Sequence, residues 1–125
     1  MKYIKLEGCE RSAPLTHVII DSEEVIARLD TGADITTVPE RFVSEENSLE
    51  SSLRVRDFCG NVSCVPVFLK ELTVFNKIFV IKVITSKSSH ILLGIDILSA
   101  FLITFGKKEY NICSGISPNV FLLYQ

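Results

Sequence analysis

A single short segment, Asp30-Thr31-Gly32-Ala33, carries the residue types best suited to acid–base chemistry. It directly follows the apolar residues 25–29, whose composition predicts a strand that delivers the Asp30 carboxyl into a turn. Two carboxyl groups that share one proton can activate a water molecule, one as the general base and the other as the general acid. Because the Asp-Thr-Gly sequence occurs once, such a pair requires two copies of the chain.

The length and composition are typical of one domain, and we expect residues 1–125 to form it. With 125 residues, 47% of them hydrophobic, the chain can bury roughly two-thirds of its unfolded surface. Thirteen basic and fifteen acidic residues give a net charge of -2 without long runs of either sign, so we expect no nucleic-acid partner. No apolar run approaches the ~18 residues of a membrane span, and the first residues lack the apolar region of a signal peptide. We therefore expect a cytoplasmic protein without a membrane partner.

The four cysteines, Cys9, Cys59, Cys64 and Cys113, favour neither a disulfide scaffold nor a metal site. Four are few for disulfide bonding in a chain of this length, and the one close pair, Cys59 and Cys64, lacks the two-residue spacing of zinc ligands. We expect reduced thiols, no metal and no cofactor. A redox-sensitive pair that faces across a hairpin stays open as an alternative for Cys59 and Cys64.

Apolar and β-branched residues recur in short runs separated by turn residues, which predicts an all-β domain. A first hairpin is predicted to join residues 17–20 to 25–26. A further strand at 34–38 is predicted to end at Pro39, which has no backbone N–H for pairing. Residues 40–52 are rich in Glu and Ser and predict an exposed connection.

A second hairpin is predicted from residues 53–56 and 65–69, with Cys59-Gly60-Asn61 as its turn. The remaining predicted elements, in chain order, are strands on both sides of a turn at Asn76-Lys77 within 72–84, a strand at 91–93, the only helix at 95–101, and a terminal hairpin that joins 101–105 to 110–112 through 106–108.

Two of these segments together resemble a known family. Residues 15–34 resemble the amino-terminal half of the retropepsins, the retroviral-type aspartic proteases. Residues 91–98, Ile91-Leu92-Leu93-Gly94-Ile95-Asp96-Ile97-Leu98, resemble the second signature of that family, in the form found in long-terminal-repeat retrotransposons and DNA-damage-inducible shuttle proteins. The resemblance covers about residues 13–112. It implies a closed β-barrel or sandwich with one short C-terminal helix, active as a symmetric homodimer.

The resemblance also assigns roles to individual residues. Asp30 is implied as the catalytic carboxyl, Thr31 as a hydroxyl that braces the two loops across the dimer, and Gly32 as the point where backbone and substrate come close. Residues 56–65 are implied to be a flap that folds over an extended peptide or polyprotein substrate. The residues implied to contact this substrate are Ala33, Asp34, Ile35, Cys59, Gly60, Asn61 and Ile95.

The chain departs from the viral members of the family at one position of the second signature. Those proteins carry an Arg that pairs with the residue corresponding to Asp34, whereas this chain carries Ile95. Asp96 is interpreted as a helix N-terminal residue that stabilises the first turn by at most about 1 kcal/mol, and both histidines as structural. Apolar pockets that favour cleavage between bulky hydrophobic residues are expected at Ile35, Val38, Ile84 and Ile95.

The favoured hypothesis is an aspartic endopeptidase of a retroelement polyprotein, located in the cytoplasm or within a virus-like particle. A catalytically silent retropepsin-like domain that dimerises or binds peptides stays open, and so does the protease domain of a ubiquitin-shuttle protein. The chain continues about 18 residues past the last matching strand, through Pro118. Because this extension could close the dimer differently from the viral relatives, we expect a dimer of weak or moderate affinity.

Overall fold

A computed structural model describes residues 2–5, 14–56, 59–105, 109–113 and 120–122. Strands dominate it. They are β1 (Lys2–Lys5), β2 (Leu15–Ile20), β3 (Glu23–Leu29), β4 (Thr37–Pro39), β5 (Ser48–Arg56), β6 (Val62–Val74), β7 (Lys77–Ser86), β8 (Ile91–Leu93), β9 (Leu102–Phe105), β10 (Glu109–Cys113) and β11 (Val120–Leu122). The described helices are one α-helix, α1 (Ile95–Leu98), and two 3-10 helices, Glu40–Phe42 and Glu45–Asn47.

Eight strands form one mixed sheet that closes on itself. Its order is β11-β7-β4-β8-β3-β2-β6-β5, and a further pairing of β6 with β7 joins six of these strands into a ring. Closure of a sheet removes the free edges of the strands within the ring. Within this ring, β8 lies between β3, to which it runs parallel, and β4, to which it runs antiparallel. The expected all-β, closed architecture is therefore confirmed.

The hydrophobic core fills the inside of this ring. Alternate residues of β2 and β3 point inward, as their period-two burial shows. The helix α1 adds Ile97 and Leu98 to the core, and the ring of Phe101 packs against that of Phe79 with the centroids 5.7 Å apart. These contacts hold the short helix against the barrel at the end of β8.

A second, three-stranded antiparallel sheet is formed by strands near the two ends of the chain. Its order is β1-β10-β9, so the central strand β10 pairs with β1 on one side and with β9 on the other. Ile112 of β10 is buried in the core, and Ile103 of β9 packs against it. Both outer strands, β1 and β9, present an edge without a described strand partner.

Three hairpins and several boundaries agree with the sequence analysis. The pairs β2–β3, β5–β6 and β9–β10 form as antiparallel hairpins, and β4 ends at Pro39 as predicted. The predicted strands at 65–69 and 72–74 are one continuous strand, β6. The predictions for Cys9, for residues 57–58 of the flap and for the turn at 106–108 lie outside the described residues, as does Pro118.

Four boundaries were wrong. The strand predicted at 34–38 begins only at Thr37, because residues 34–36 belong to the loop that follows Asp30. The segment 40–52 is not one exposed connection: it holds both 3-10 helices, buries Phe42 and enters β5 at Ser48. The turn between β6 and β7 is Phe75-Asn76, where both residues have positive φ, and the α-helix ends at residue 98 rather than 101.

A buried lysine anchors the β2–β3 turn to the neighbouring strand. The turn residues Asp21 and Ser22 have φ of 52° and 64°, the geometry of a two-residue hairpin loop. The Lys70 ammonium, on a side chain that is only 7% exposed, donates to the two Asp21 carboxylate oxygens at 2.8 and 3.0 Å. This ion pair connects β6 to the turn.

No helix in the described part of the chain is long and apolar enough to cross a membrane.

The two partners of this ion pair should contribute unequally to stability. Asp21→Asn leaves the Lys70 ammonium buried without its counter-charge, and we expect a loss of about 1–3 kcal/mol in the free energy of unfolding. Lys70→Met replaces the ammonium with an apolar group of similar length and should cost less than about 1 kcal/mol. Urea denaturation measures both. Glu23→Gln, in an exposed pair with Arg41, is the control, and equal losses in Asp21→Asn and Lys70→Met would contradict this account.

Candidate active site

Asp30 lies at the point where β3 leaves the barrel. Leu29, the last residue of β3, pairs with Leu93 of β8, and the Asp30 N–H donates to the Leu93 carbonyl at 2.9 Å. The Asp30 Oδ1 atom accepts the Gly32 N–H at 2.9 Å. The Asp30 side chain is half-buried, while Thr31 and Gly32 are exposed. A carboxyl group held in this way at an accessible turn can reach a bound water or a peptide carbonyl.

Residues 30–36, called the Asp30 loop below, rest directly on the segment that joins β8 to α1. The Ile95 N–H donates to the Ala33 carbonyl at 2.8 Å. A Cβ atom at Gly94 would lie 2.7 Å from the Ala33 carbonyl oxygen and 2.9 Å from the carbonyl carbon of Ile35, both of them backbone atoms. Position 94 therefore requires glycine because the backbones approach too closely for any side chain.

Side chains fix the end of the Asp30 loop. Thr36 is fully buried; its N–H donates to Asp96 Oδ2 at 2.9 Å, and its hydroxyl donates to Asp96 Oδ1 at 2.7 Å. The same hydroxyl accepts the Gly94 N–H at 3.1 Å. The Asp96 Oδ1 atom also accepts the Ile97 N–H at 2.9 Å. Thr36 and Asp96 thus form a side-chain connection between the loop and the start of α1.

The sequence interpretation of Asp96 was incomplete. Its bond to the Ile97 N–H is the expected local contact at a helix start, but its two bonds to Thr36 span 60 positions in the sequence. Spacing along the chain does not distinguish this residue from any other acidic residue in a first helical turn. The only hint in the sequence was the family resemblance, because it rests on two segments, residues 15–34 and residues 91–98, that together form one site.

Burial controls the protonation of Asp96. Burial raises the pKa of the Asp96 carboxyl above its ordinary value, and the hydrogen bonds from Thr36 and Ile97 lower it by less. Within the described residues, Asp96 forms no ion pair. The raised pKa is therefore an effect of desolvation, opposed by hydrogen-bond donors.

The structure brings some of the predicted site residues together and leaves others elsewhere. Residues 30–35 and Ile95 share one site, since Ile95 is bonded to the Asp30 loop. Cys59, Gly60 and Asn61 are exposed at the tip of the β5–β6 hairpin, where Gly60 has a φ of 86°. This tip is attached to the protein through β5 and β6 rather than through the Asp30 loop.

One side-chain prediction needs correction. Cys64 pairs across the hairpin with Arg54, so Cys59 and Cys64 are not cross-strand neighbours as the redox alternative required. Val38 and Ile84 are buried, so each can support an apolar pocket from behind, which is one of the two roles expected of them. Among the described residues, no three His, Cys, Asp or Glu side chains lie close enough to hold a metal ion.

Comparisons with solved structures identify the fold. The solution structure of the simian foamy virus (mac) protease is similar with a TM-score of 0.58 and 24% sequence identity, over 68% of this chain and 91% of that protein. Two structures of the foamy viral protease-reverse transcriptase, one in complex with an RNA/DNA hybrid and one with double-stranded DNA, are similar with TM-scores of 0.60 and 0.59. Both are 21% identical, over 68% of this chain and only 11% and 14% of those longer chains.

These similarities establish a retropepsin-like protease fold. No family model matches the chain, and no curated protein sequence matches it. At identities of 21–24%, likeness of structure defines the architecture and leaves the activity to be argued from the site itself.

The raised pKa of Asp96 predicts how stability changes with pH. Between the ordinary pKa of 3.8 and the raised pKa of the folded protein, the folded chain keeps a proton on Asp96 that the unfolded chain has released. Ionisation of Asp96 therefore costs more in the folded chain than in the unfolded chain. The free energy of unfolding falls as the pH rises from the ordinary pKa through the raised pKa of the folded protein.

Asp96→Asn removes this titration, so the stability of the wild type relative to Asp96→Asn should be greater at about pH 4 than at about pH 7. Urea denaturation of both proteins at both pH values measures the difference. Ser99→Ala, an exposed and uncharged change next to α1, is the control and should show no such dependence. A relative stability that is equal at both pH values, or lower at pH 4, would refute the assignment.

Proposed function

We propose that the chain is an aspartic endopeptidase that hydrolyses peptide bonds at a site built from two copies of itself. The observation that carries this proposal is the position of Asp30, held at the accessible end of a barrel strand by backbone bonds to β8. A retropepsin-like fold that carries Asp-Thr-Gly at this position is equipped for acid–base chemistry. One copy supplies one carboxyl, so the site is complete only when a second Asp30 lies beside the first.

The mechanism follows from two carboxyl groups at close range. Two negative charges a few ångströms apart repel, so one Asp30 keeps a proton while the other is ionised. The ionised carboxylate takes a proton from a water molecule, which attacks the peptide carbonyl carbon. The protonated carboxyl donates its proton to the carbonyl oxygen. As the bond to nitrogen breaks, the first carboxyl, now protonated, donates its proton to the departing amine. The second carboxyl, now ionised, takes a proton from a hydroxyl group of the tetrahedral intermediate, so the pair again holds one shared proton.

The substrate that suits this site is an extended peptide segment of a polyprotein. An extended backbone can add to exposed strand edges, while alternate side chains enter pockets. Half-buried Ile35 and exposed Ile95 lie at the Asp30 loop and offer apolar contact. The β5–β6 hairpin, with Gly60 at its tip, would close over the bound peptide and exclude water. Asp34 is exposed in the same loop and can accept a hydrogen bond from the peptide backbone.

The second copy would meet a terminal sheet that is already formed within one chain. Because β10 of the same chain lies between β1 and β9, the chain ends are paired before any partner arrives. The outer edge of β9 and the exposed side chain of Leu102 follow directly after α1, which is bonded to the Asp30 loop. We infer that the two copies associate along β9, with the weak or moderate affinity expected of a small apolar contact.

Replacement of Asp30 tests the chemistry. Asp30→Asn removes the group that holds or accepts the shared proton, and cleavage should fall by at least about 10²–10⁴-fold. A peptide library incubated with wild type and variant between about pH 4 and pH 7 measures this. Glu71→Gln, at an exposed position of β6, is the matched control and should retain activity. A wild type that cleaves nothing as a dimer would support the catalytically silent alternative.

Replacement of Leu102 tests the association. Leu102 is 67% exposed, so Leu102→Glu should leave the monomer folded while it weakens the dimer by about 10-fold or more, as expected when a charge enters an apolar contact. Sedimentation equilibrium with a bound substrate analogue measures the dissociation constant. Ile19→Glu, at a 47% exposed strand position of β2, is the control. Equal dimer affinity in wild type and Leu102→Glu would place the interface elsewhere.

A further inference from the structure

The Asp30 loop is attached to the end of β8 at three points along its length. Its first residue donates to the Leu93 carbonyl at 2.9 Å, and the Ala33 carbonyl accepts the Ile95 N–H at 2.8 Å. Both of these bonds join backbone atoms. The third attachment is the pair of bonds from Thr36 to the Asp96 carboxylate, and it is the one that side-chain groups form.

This third attachment is built as a continuous chain of donors and acceptors. The Gly94 N–H donates to the Thr36 hydroxyl, the hydroxyl donates to Asp96 Oδ1, and the Thr36 N–H donates to Asp96 Oδ2. Every group that faces the carboxylate in these contacts, including the Ile97 N–H, is a donor. A carboxylate is the side chain whose two oxygens can both accept, whereas an amide offers one oxygen and one donor nitrogen.

Close packing makes the position of the loop sensitive to this connection. Thr36 is fully buried, and the backbone of residues 33 and 35 contacts Gly94 too closely for a Cβ atom. A buried hydroxyl that lost its acceptor could be satisfied only by a shift of the loop, because water does not reach it. Residues 30–36 include no helix or strand, so a shift at Thr36 would alter the setting of the Asp30 carboxyl six residues earlier.

We propose that Asp96 is a positioning residue, which fixes the Asp30 loop and hence the reactive carboxyl by accepting the two hydrogen bonds of Thr36. The catalytic part of this inference rests on the proposed function, while the structural part does not. Asp96 touches neither the reacting carboxyl nor the turn at Gly32 in any described contact; it acts through Thr36. Its effect should therefore fall on the rate of the chemical step more than on the binding of the peptide.

The test compares Asp96→Asn and Thr36→Val with Thr36→Ser, which keeps the hydroxyl. Both disruptive variants should lower kcat by about 10- to 100-fold, the size expected for a misplaced catalytic group, with a smaller change in KM. Thr36→Ser should keep a kcat close to that of the wild type. Glu71→Gln, a carboxylate-to-amide change at an exposed position, is the control. Kinetics use a peptide that the wild type cleaves.

A second measurement separates this inference from the proposed function. Amide hydrogen exchange, followed by NMR, should speed up in the disruptive variants at Asp30, Gly32 and Thr36 and stay unchanged in β6 and β7. Faster exchange at the loop with no cleavage by the wild type would overturn the protease proposal and support the positioning role.

Unchanged exchange and unchanged kcat in a folded variant would overturn the positioning role and leave the protease proposal intact. If Asp96→Asn fails to fold, Thr36→Val gives the same comparison. Loss of kcat in Thr36→Ser equal to that in Thr36→Val would also overturn it, because the hydroxyl would then be irrelevant.

Discussion

The contact between the Asp30 loop and the end of β8 is the constraint on which the rest of the structure depends. At this contact, backbone bonds join the first and middle parts of the loop to residues 93 and 95, and Thr36 joins its end to Asp96. Gly94 sits at the centre of the contact because the two backbones leave no space for a side chain. An accessible carboxyl on an otherwise irregular loop acquires a defined position only through such contacts.

The strand order of the barrel brings the Asp30 loop and the end of β8 together. The strand β8 must lie beside β3 although about 60 residues separate them, and it does so by fitting between β3 and β4 within the closed ring. The apolar residues Ile91 and Leu93 are buried on the core side, and α1 packs Ile97 and Leu98 behind them. Burial of these side chains supplies the driving force, and the hydrogen bonds supply the register.

Local patterns in the sequence predicted the local parts of this arrangement. Alternating apolar residues and a polar turn gave the β2–β3 hairpin, and the Asp-Thr-Gly segment placed Asp30 at a strand end. The helix was predicted three residues too long, because Phe101 continues the apolar spacing but packs on Phe79 after the helix has ended. The turn at Phe75-Asn76 was placed one residue late, since an aromatic residue at positive φ is unusual and its tertiary contact with Phe101 lies far along the chain. The bonds from Thr36 to Asp96 were also missed because they depend on a tertiary contact. Neither residue type is unusual at its position, and the two residues come close only when the barrel closes.

The length of β6 has a mechanical consequence. This strand of 13 residues is exposed over most of its first part, and buried residues recur through its second part from Val67 onward. The first part pairs with β5 alone, whereas the second pairs with β7 inside the ring. The β5–β6 hairpin is therefore fixed to the barrel at one end only, through the pairing of β6 with β7. Movement of the end that pairs only with β5 leaves the hydrogen bonds between β6 and β7 intact. This movement therefore costs a small fraction of the free energy that global unfolding requires.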